Sequence, residues 1–127
     1  MFKGIEAILI GSENATNLAN FYRDKVGLEI KFEAEMGEED SPTNMYEMGT
    51  GGVSIYIMDH KDVKGKSSNP QRVMFNLEVD EIEKNVKELE DRGVKKVQDI
   101  YHVENYGYIA TFEDLDGNYF QLVKTKE

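Results

Sequence analysis

Residues 72–93, RVMFNLEVDEIEKNVKELEDRG, restart a pattern that residues 5–27, IEAILIGSENATNLANFYRDKVG, have already run once. In both stretches an apolar run of strand character leads into a helical period that ends on glycine. RVMFNLEV (72–79) predicts a strand, and EIEKNVKELEDRG (81–93) predicts a helix with Ile82, Val86 and Leu89 inward. In the first copy IEAILIGS (5–12) predicts a strand. The helix over Asn14–Val26 then puts Ala15, Leu18, Ala19 and Tyr22 on one face, with Asn14 as N-cap and Gly27 as C-cap. At one constant offset Ala15, Ala19 and Tyr22 fall on Ile82, Val86 and Leu89, so the two helices bury equivalent faces. Gly27 falls one residue from Gly93 at that offset.

Outward from these stretches the parallel continues. LEIKF (28–32), TNMYEM (43–48) and GGVSIYIMD (51–59) predict three strands after the first helix. VKKVQDI (94–100), GYIATFED (107–114) and NYFQLVK (118–124) predict three after the second. Ile55 and Ile57 correspond to Phe120 and Leu122. The acidic, proline-bearing stretch Glu35–Thr43 predicts an exposed turn, and DHKDVKGKSSNP (59–70) a polar connection. The order is β-α-β-β-β twice, an α+β class in one domain over residues 1–127: module one 1–62, linker 63–71, module two 72–127. Each sheet would have one face covered by its helix and the other free to line a shared cleft.

Composition narrows the chemistry. The chain has 127 residues, no cysteine and two histidines, His60 and His102, which removes disulfides, thiolate nucleophiles, sulfur-ligated zinc and imidazole-rich metal sites. Fifteen Lys+Arg against 25 Asp+Glu leave a net charge of −10, against a nucleic-acid partner. No signal peptide or membrane span is read, so the cytoplasm is the expected location. An EF-hand fails because Phe112 would hold its first ligand position, and a Walker loop fails because His60 replaces its first glycine.

FYRDKVGLEI (21–30) resembles the first-helix signature of the vicinal oxygen chelate superfamily, and FEDLDGNYFQLV (112–123) resembles its C-terminal signature. The superfamily includes glyoxalase I, bleomycin-resistance proteins, fosfomycin-resistance enzymes and extradiol dioxygenases. The resemblance covers the whole chain and implies two β-α-β-β-β modules forming a glyoxalase-like fold. Phe21, Tyr22, Val26 and Leu28 read as helix-to-sheet packing, and Asp114, Asp116, Gly117 and Asn118 as a hairpin turn.

Metal-dependent members place His, Gln or Glu on four strands. The resemblance carries those positions to Ala7, Tyr56, Met74 and Gln121. One residue back gives Glu6, Ile55, Val73 and Phe120; one forward gives Ile8, Ile57, Phe75 and Leu122. No register offers even two good ligands, so no metal, cofactor or catalytic residue is assigned. An unusual site from Glu6, His60, His102 or Glu104 is the remaining metal option.

The expected ligand-binding residues are Ala7, Tyr56, Met58, Met74, Tyr101, His102, Glu104, Tyr106, Tyr108 and Gln121. Tyr56 and Met58 alternate away from Ile55 and Ile57, and QDIYHVENYGY (98–108) would bring the remaining tyrosines to the cleft mouth. Met36, Met45 and Met48 add adaptable apolar surface. His102 reads as an exposed strand-edge residue; as a proton shuttle it would need Glu104 within reach. Residues 1–62 carry 5 basic and 12 acidic groups, and Glu33, Glu35, Glu38, Glu39 and Asp40 cluster. The cluster reads as a solvated loop, or as a funnel for a cationic ligand of the kind the resemblance to bleomycin-resistance proteins implies.

The expectation is a metal-free protein that binds a small organic molecule, aromatic or cationic, and sequesters it rather than turning it over. Its partners would be that ligand and a second copy in a homodimer, with no membrane. The alternative is a metal-dependent lyase or dioxygenase resembling glyoxalase I. A third reading is a regulatory or partner-binding module with a vestigial cleft.

Overall fold

The computed structural model describes residues 1–39 and 41–126, and the chain divides into two compact units, Met1–Gly65 and Lys66–Glu127. The first unit runs β1 (Ala7–Ser12), α1 (Ala15–Phe21), a wide helical turn (Tyr22–Val26), β2 (Glu29–Glu38), β3 (Ser41–Gly49) and β4 (Ser54–Asp59). Its sheet has the order β1-β4-β3-β2, with β1 parallel to β4 and the other neighbours antiparallel. The parallel pair requires a crossover, and α1 supplies it.

Asn14 caps α1 as the sequence predicts: its side chain accepts the N–H of Asn17 at 3.0 Å. The predicted single helix over 14–26 instead loosens after Phe21, where the N–H groups of Gly27 and Leu28 both reach the Tyr22 carbonyl at 2.9 Å. Gly27 sits at φ 99°, which glycine adopts without strain. Ala15, Leu18 and Ala19 from α1 and Tyr22 from the turn are buried, as are Tyr46, Met48, Ile55 and Ile57 on the sheet face they cover. Each large apolar side chain fully removed from water there contributes about 1.5–3 kcal/mol. The Tyr46 hydroxyl meets Thr16 Oγ1 at 2.7 Å and fixes which face is covered.

The turn expected at Glu35–Thr43 is not a turn. β2 and β3 stay paired from Glu29↔Gly49 out to Glu38↔Ser41, so the hairpin is far longer than its acidic composition suggests. The reason lies in alternation: Ala34 and Met36 point to one face while Glu33 and Glu35 point to the other, a strand period that charge disguises. Asp40 lies outside the described residues. β2 is an edge strand, with a register irregularity between Ile30 and Phe32.

The second unit repeats the plan: β5 (Phe75–Glu78), α2 (Ile82–Asp91), β6 (Lys95–Val103), β7 (Gly107–Glu113) and β8 (Tyr119–Thr125), in sheet order β5-β8-β7-β6. Ile82, Val86 and Leu89 of α2 are buried as predicted. On the covered face Phe120 stacks on Phe75 and Phe112, each pair of ring centroids 5.9 Å apart. The β7–β8 turn closes on Asp114, whose carboxylate accepts the N–H groups of Asp116 and Asn118 at 2.9 Å and the Asn118 amide at 3.1 Å. The fold is α+β, two β-α-β-β-β modules. Among the described residues no helix is long and apolar enough to cross a membrane.

Candidate ligand-binding faces

Strand register decides which side chains stand on the sheet face away from each helix. In the first unit Leu9 lies opposite Tyr56, Tyr56 opposite Glu47, and Glu47 opposite Phe32, one row across all four strands. Gly11, Met58, Met45 and Ala34 form the adjacent row. Leu9 is 63% exposed and Phe32 54%, while Tyr56, Met58 and Met45 are half-buried. Large apolar side chains left to solvent along one face mark a binding surface.

Within that face sits the carboxylate of Glu47, with Glu29 further along it opposite Gly49. Ser54 Oγ donates to Glu47 Oε2 at 2.7 Å, and among the described residues no cationic side chain pairs with Glu47. The Tyr56 phenol is held above its ordinary pKa first by the negative charge of Glu47, then by partial burial and by Glu6.

The second unit offers a different row. Asn76 lies opposite Gln121, Gln121 opposite Thr111, and Thr111 opposite Gln98, three amides and a hydroxyl. Gln121 Nε2 donates to Thr111 Oγ1 at 2.9 Å, and Asn76 Nδ2 to the Tyr106 hydroxyl at 3.3 Å. The next row carries Glu78, Val123, Ile109 and Tyr101.

Of the residues expected at the site, the structure brings Ala7, Tyr56 and Met58 onto one face of the first sheet. Gln121 and Tyr101 share one face of the second, and the Tyr106 hydroxyl reaches that face at Asn76. Met74 stands directly ahead of β5 and is 39% exposed; Glu104 is exposed in the β6–β7 turn. His102 and Tyr108 lie on the opposite, helix-side face, their rings 4.8 Å apart. Two register irregularities in β6, between Lys96 and Gln98 and between Gln98 and Tyr101, turn Gln98 to the open face and then restore the alternation that runs from Lys95. Glu33 and Glu35 pair with Tyr46 and Asn44, so they too stand on the helix side of their sheet.

Sequence reading missed Glu47, Leu9, Phe32 and Asn76. The alternation in NMYEM (44–48), with Tyr46 and Met48 inward, was the signal for Glu47.

A divalent cation needs three or four donors. Ala7 and Met74 offer none suited to a hard ion, Tyr56 is held in its neutral form, and Gln121 with its neighbour Asn76 supplies only amides. Among the described residues no three of His, Asp or Glu gather as a metal would require. His60 Nδ1 accepts the N–H of Asp62 at 3.1 Å in the first unit, whereas His102 and Glu104 belong to the second. The donor set does not fit a resident metal ion.

Comparison with solved structures returns the same fold. UcmS2 is 20% identical over 98% of this chain and 100% of its own, with a TM-score of 0.78. The genomically encoded fosfomycin resistance protein FosX of Listeria monocytogenes is 17% identical over 99% and 96%, TM-score 0.77. A glyoxalase family protein from Enterococcus faecalis is 20% identical over 97% and 98%, TM-score 0.75. No curated protein matches the sequence. A family model described as the glyoxalase/bleomycin resistance protein/dioxygenase superfamily matches residues 4–122. Two β-α-β-β-β units and a match over nearly the whole length lead to one statement: the chain belongs to the glyoxalase/bleomycin resistance protein/dioxygenase superfamily.

Proposed function

We propose that the protein binds a small organic molecule with a flat, apolar body against the helix-free face of its first unit's sheet, and holds it without converting it. The observation that carries this reading is the row Leu9–Tyr56–Glu47–Phe32, which leaves aromatic and aliphatic side chains exposed beside half-buried methionines. Aromatic rings offer planar contact at low entropic cost, and methionine adapts to an irregular outline. Sequestration of a drug-like compound is the function this supports. The second unit's own face carries the polar row Asn76–Gln121–Thr111–Gln98, which suits a ligand with heteroatoms.

The test is titration of a neutral apolar fluorophore, N-phenyl-1-naphthylamine, by the protein and its Phe32→Ala variant. Saturable binding that weakens several-fold in the variant is expected; a linear, unsaturable signal both from this probe and from a flat aromatic cation, ethidium, overturns the reading. The same exposed apolar surface supports a homodimer, so sedimentation at micromolar concentration should give twice the chain mass, and a monomer there would remove that part.

One observation favours a second reading, a metal-dependent enzyme. A further structure of the Listeria protein, 17% identical with a TM-score of 0.68 over 99% of this chain and 93% of its own, holds Mn(II) with a dihydroxypropylphosphonic acid.

A further inference from the structure

We infer that Glu47 is the recognition group for an organic cation, so that the ligand of the first unit's open face is an aromatic or alkylated ammonium-type molecule and not a neutral one. The inference rests on the reading that this face binds a small molecule, and it names the chemical class.

The geometry is specific. Glu47 lies near the middle of the row, flanked in register by Tyr56 on one side and Phe32 on the other, with Leu9 beyond Tyr56. Its neighbours in one adjacent row, Met45, Met58 and Ala34, carry no charge, while the row on its other side ends in Glu29, with the Lys31 side chain lying over Gly49. A carboxylate set among apolar side chains is costly unless something offsets its charge. Here the Ser54 hydroxyl gives one neutral hydrogen bond, at 2.7 Å, and no lysine, arginine or histidine among the described residues pairs with it. The charge is felt by its neighbours: it is the leading cause of the elevated Tyr56 phenol pKa.

A cation seated over this row would meet three complementary features at once. Glu47 supplies the countercharge. Tyr56 and Phe32 supply ring faces whose quadrupoles attract a positive group. Leu9 and the methionines take up its apolar body. A small inorganic cation would lose its water for one carboxylate oxygen pair and gain little, whereas an organic cation is weakly hydrated and brings apolar area. The acidic residues of the β2–β3 hairpin, Glu33 and Glu35, stand on the other face and add only a diffuse field.

The test uses two probes on the full chain: ethidium, a flat aromatic cation, and N-phenyl-1-naphthylamine, its neutral counterpart. Glu47→Gln should weaken ethidium binding by about tenfold and leave the neutral probe within twofold. Raising NaCl from about 0.05 to 0.5 M should weaken ethidium alone, a measurement on the unaltered protein that stands even if the variant does not fold. Binding of both probes, insensitive to Glu47→Gln and to salt, overturns the cation inference and leaves the binding reading intact. So does binding of the neutral probe alone. Binding of neither overturns the binding reading itself, and this inference with it.

Discussion

Asp59, the last residue of β4, accepts the backbone N–H of Ala15 at 2.8 Å through Oδ1, joining the end of the sheet to the start of α1. Its other oxygen accepts the Asn44 backbone N–H at 2.9 Å and the Asn44 side-chain amide at 3.2 Å. One carboxylate thereby satisfies an orphan helix donor and pins β3 to the same corner. Asp59→Ala should cost about 1.5–3 kcal/mol in urea unfolding, because hydrogen bonds to a charged acceptor are lost and their donors stranded. A shift below about 0.5 kcal/mol would mean that water replaces the carboxylate fully.

Gly107 opens β7 at φ 145°, and a Cβ there would run into the Lys124 carbonyl oxygen and lie 2.9 Å from Thr125 Cα. Both are backbone atoms of β8 and cannot rotate away. Gly107→Ala should therefore cost about 3 kcal/mol or more. Gly51, at φ 86° with open space around it, separates the causes: Gly51→Ala should cost only about 1–2 kcal/mol from backbone conformation. Equal losses at the two sites would count against the steric account.

Tyr56 should be among the last tyrosines to ionise, above the ordinary value near 10, in an ultraviolet titration compared with Tyr56→Phe. Because its folded pKa is raised, its contribution to stability is whole below the unfolded value and is lost as pH climbs through the folded one. Glu47→Gln removes the leading cause and should bring the phenol back down. An unchanged titration in that variant would place the cause elsewhere.

Elemental analysis of protein purified without chelators should find zinc, nickel, manganese and iron well below one per chain, since the donor set is amides, a neutral phenol and apolar groups. One bound metal per chain would replace the sequestration reading with the lyase or dioxygenase alternative.

The duplicated plan was legible because both determinants are local. Ile82, Val86 and Leu89 declare their helix face by spacing, and Gly27 marks a helix end that only a left-handed residue can make. The long β2–β3 hairpin was not legible, because glutamates at alternate positions, with Gly37 and Pro42 near its tip, share the composition of a loop. Tyr101 and His102 show where site reading by alternation stops. Adjacent residues take opposite faces, so the two cannot line one cleft, and at Gln98, between two bulges, the alternation that runs from Lys95 to Tyr101 is broken with no reliable sequence mark. Glu47 escaped notice for another reason: a lone charge in a strand reads as solvent-facing, and only the pairing with Phe32 and Tyr56 sets it among rings.

The ten-residue edge strand β2 carries one more consequence. An exposed strand of that length is a template on which another molecule could build, the first step toward a fibre. The irregular register beside Lys31, and the exposed carboxylates of Glu29, Glu33 and Glu35 along it, spoil that template by geometry and by repulsion. High salt, which screens those carboxylates, weakens the repulsive half of that defence and leaves the misaligned register beside Lys31 to spoil the template.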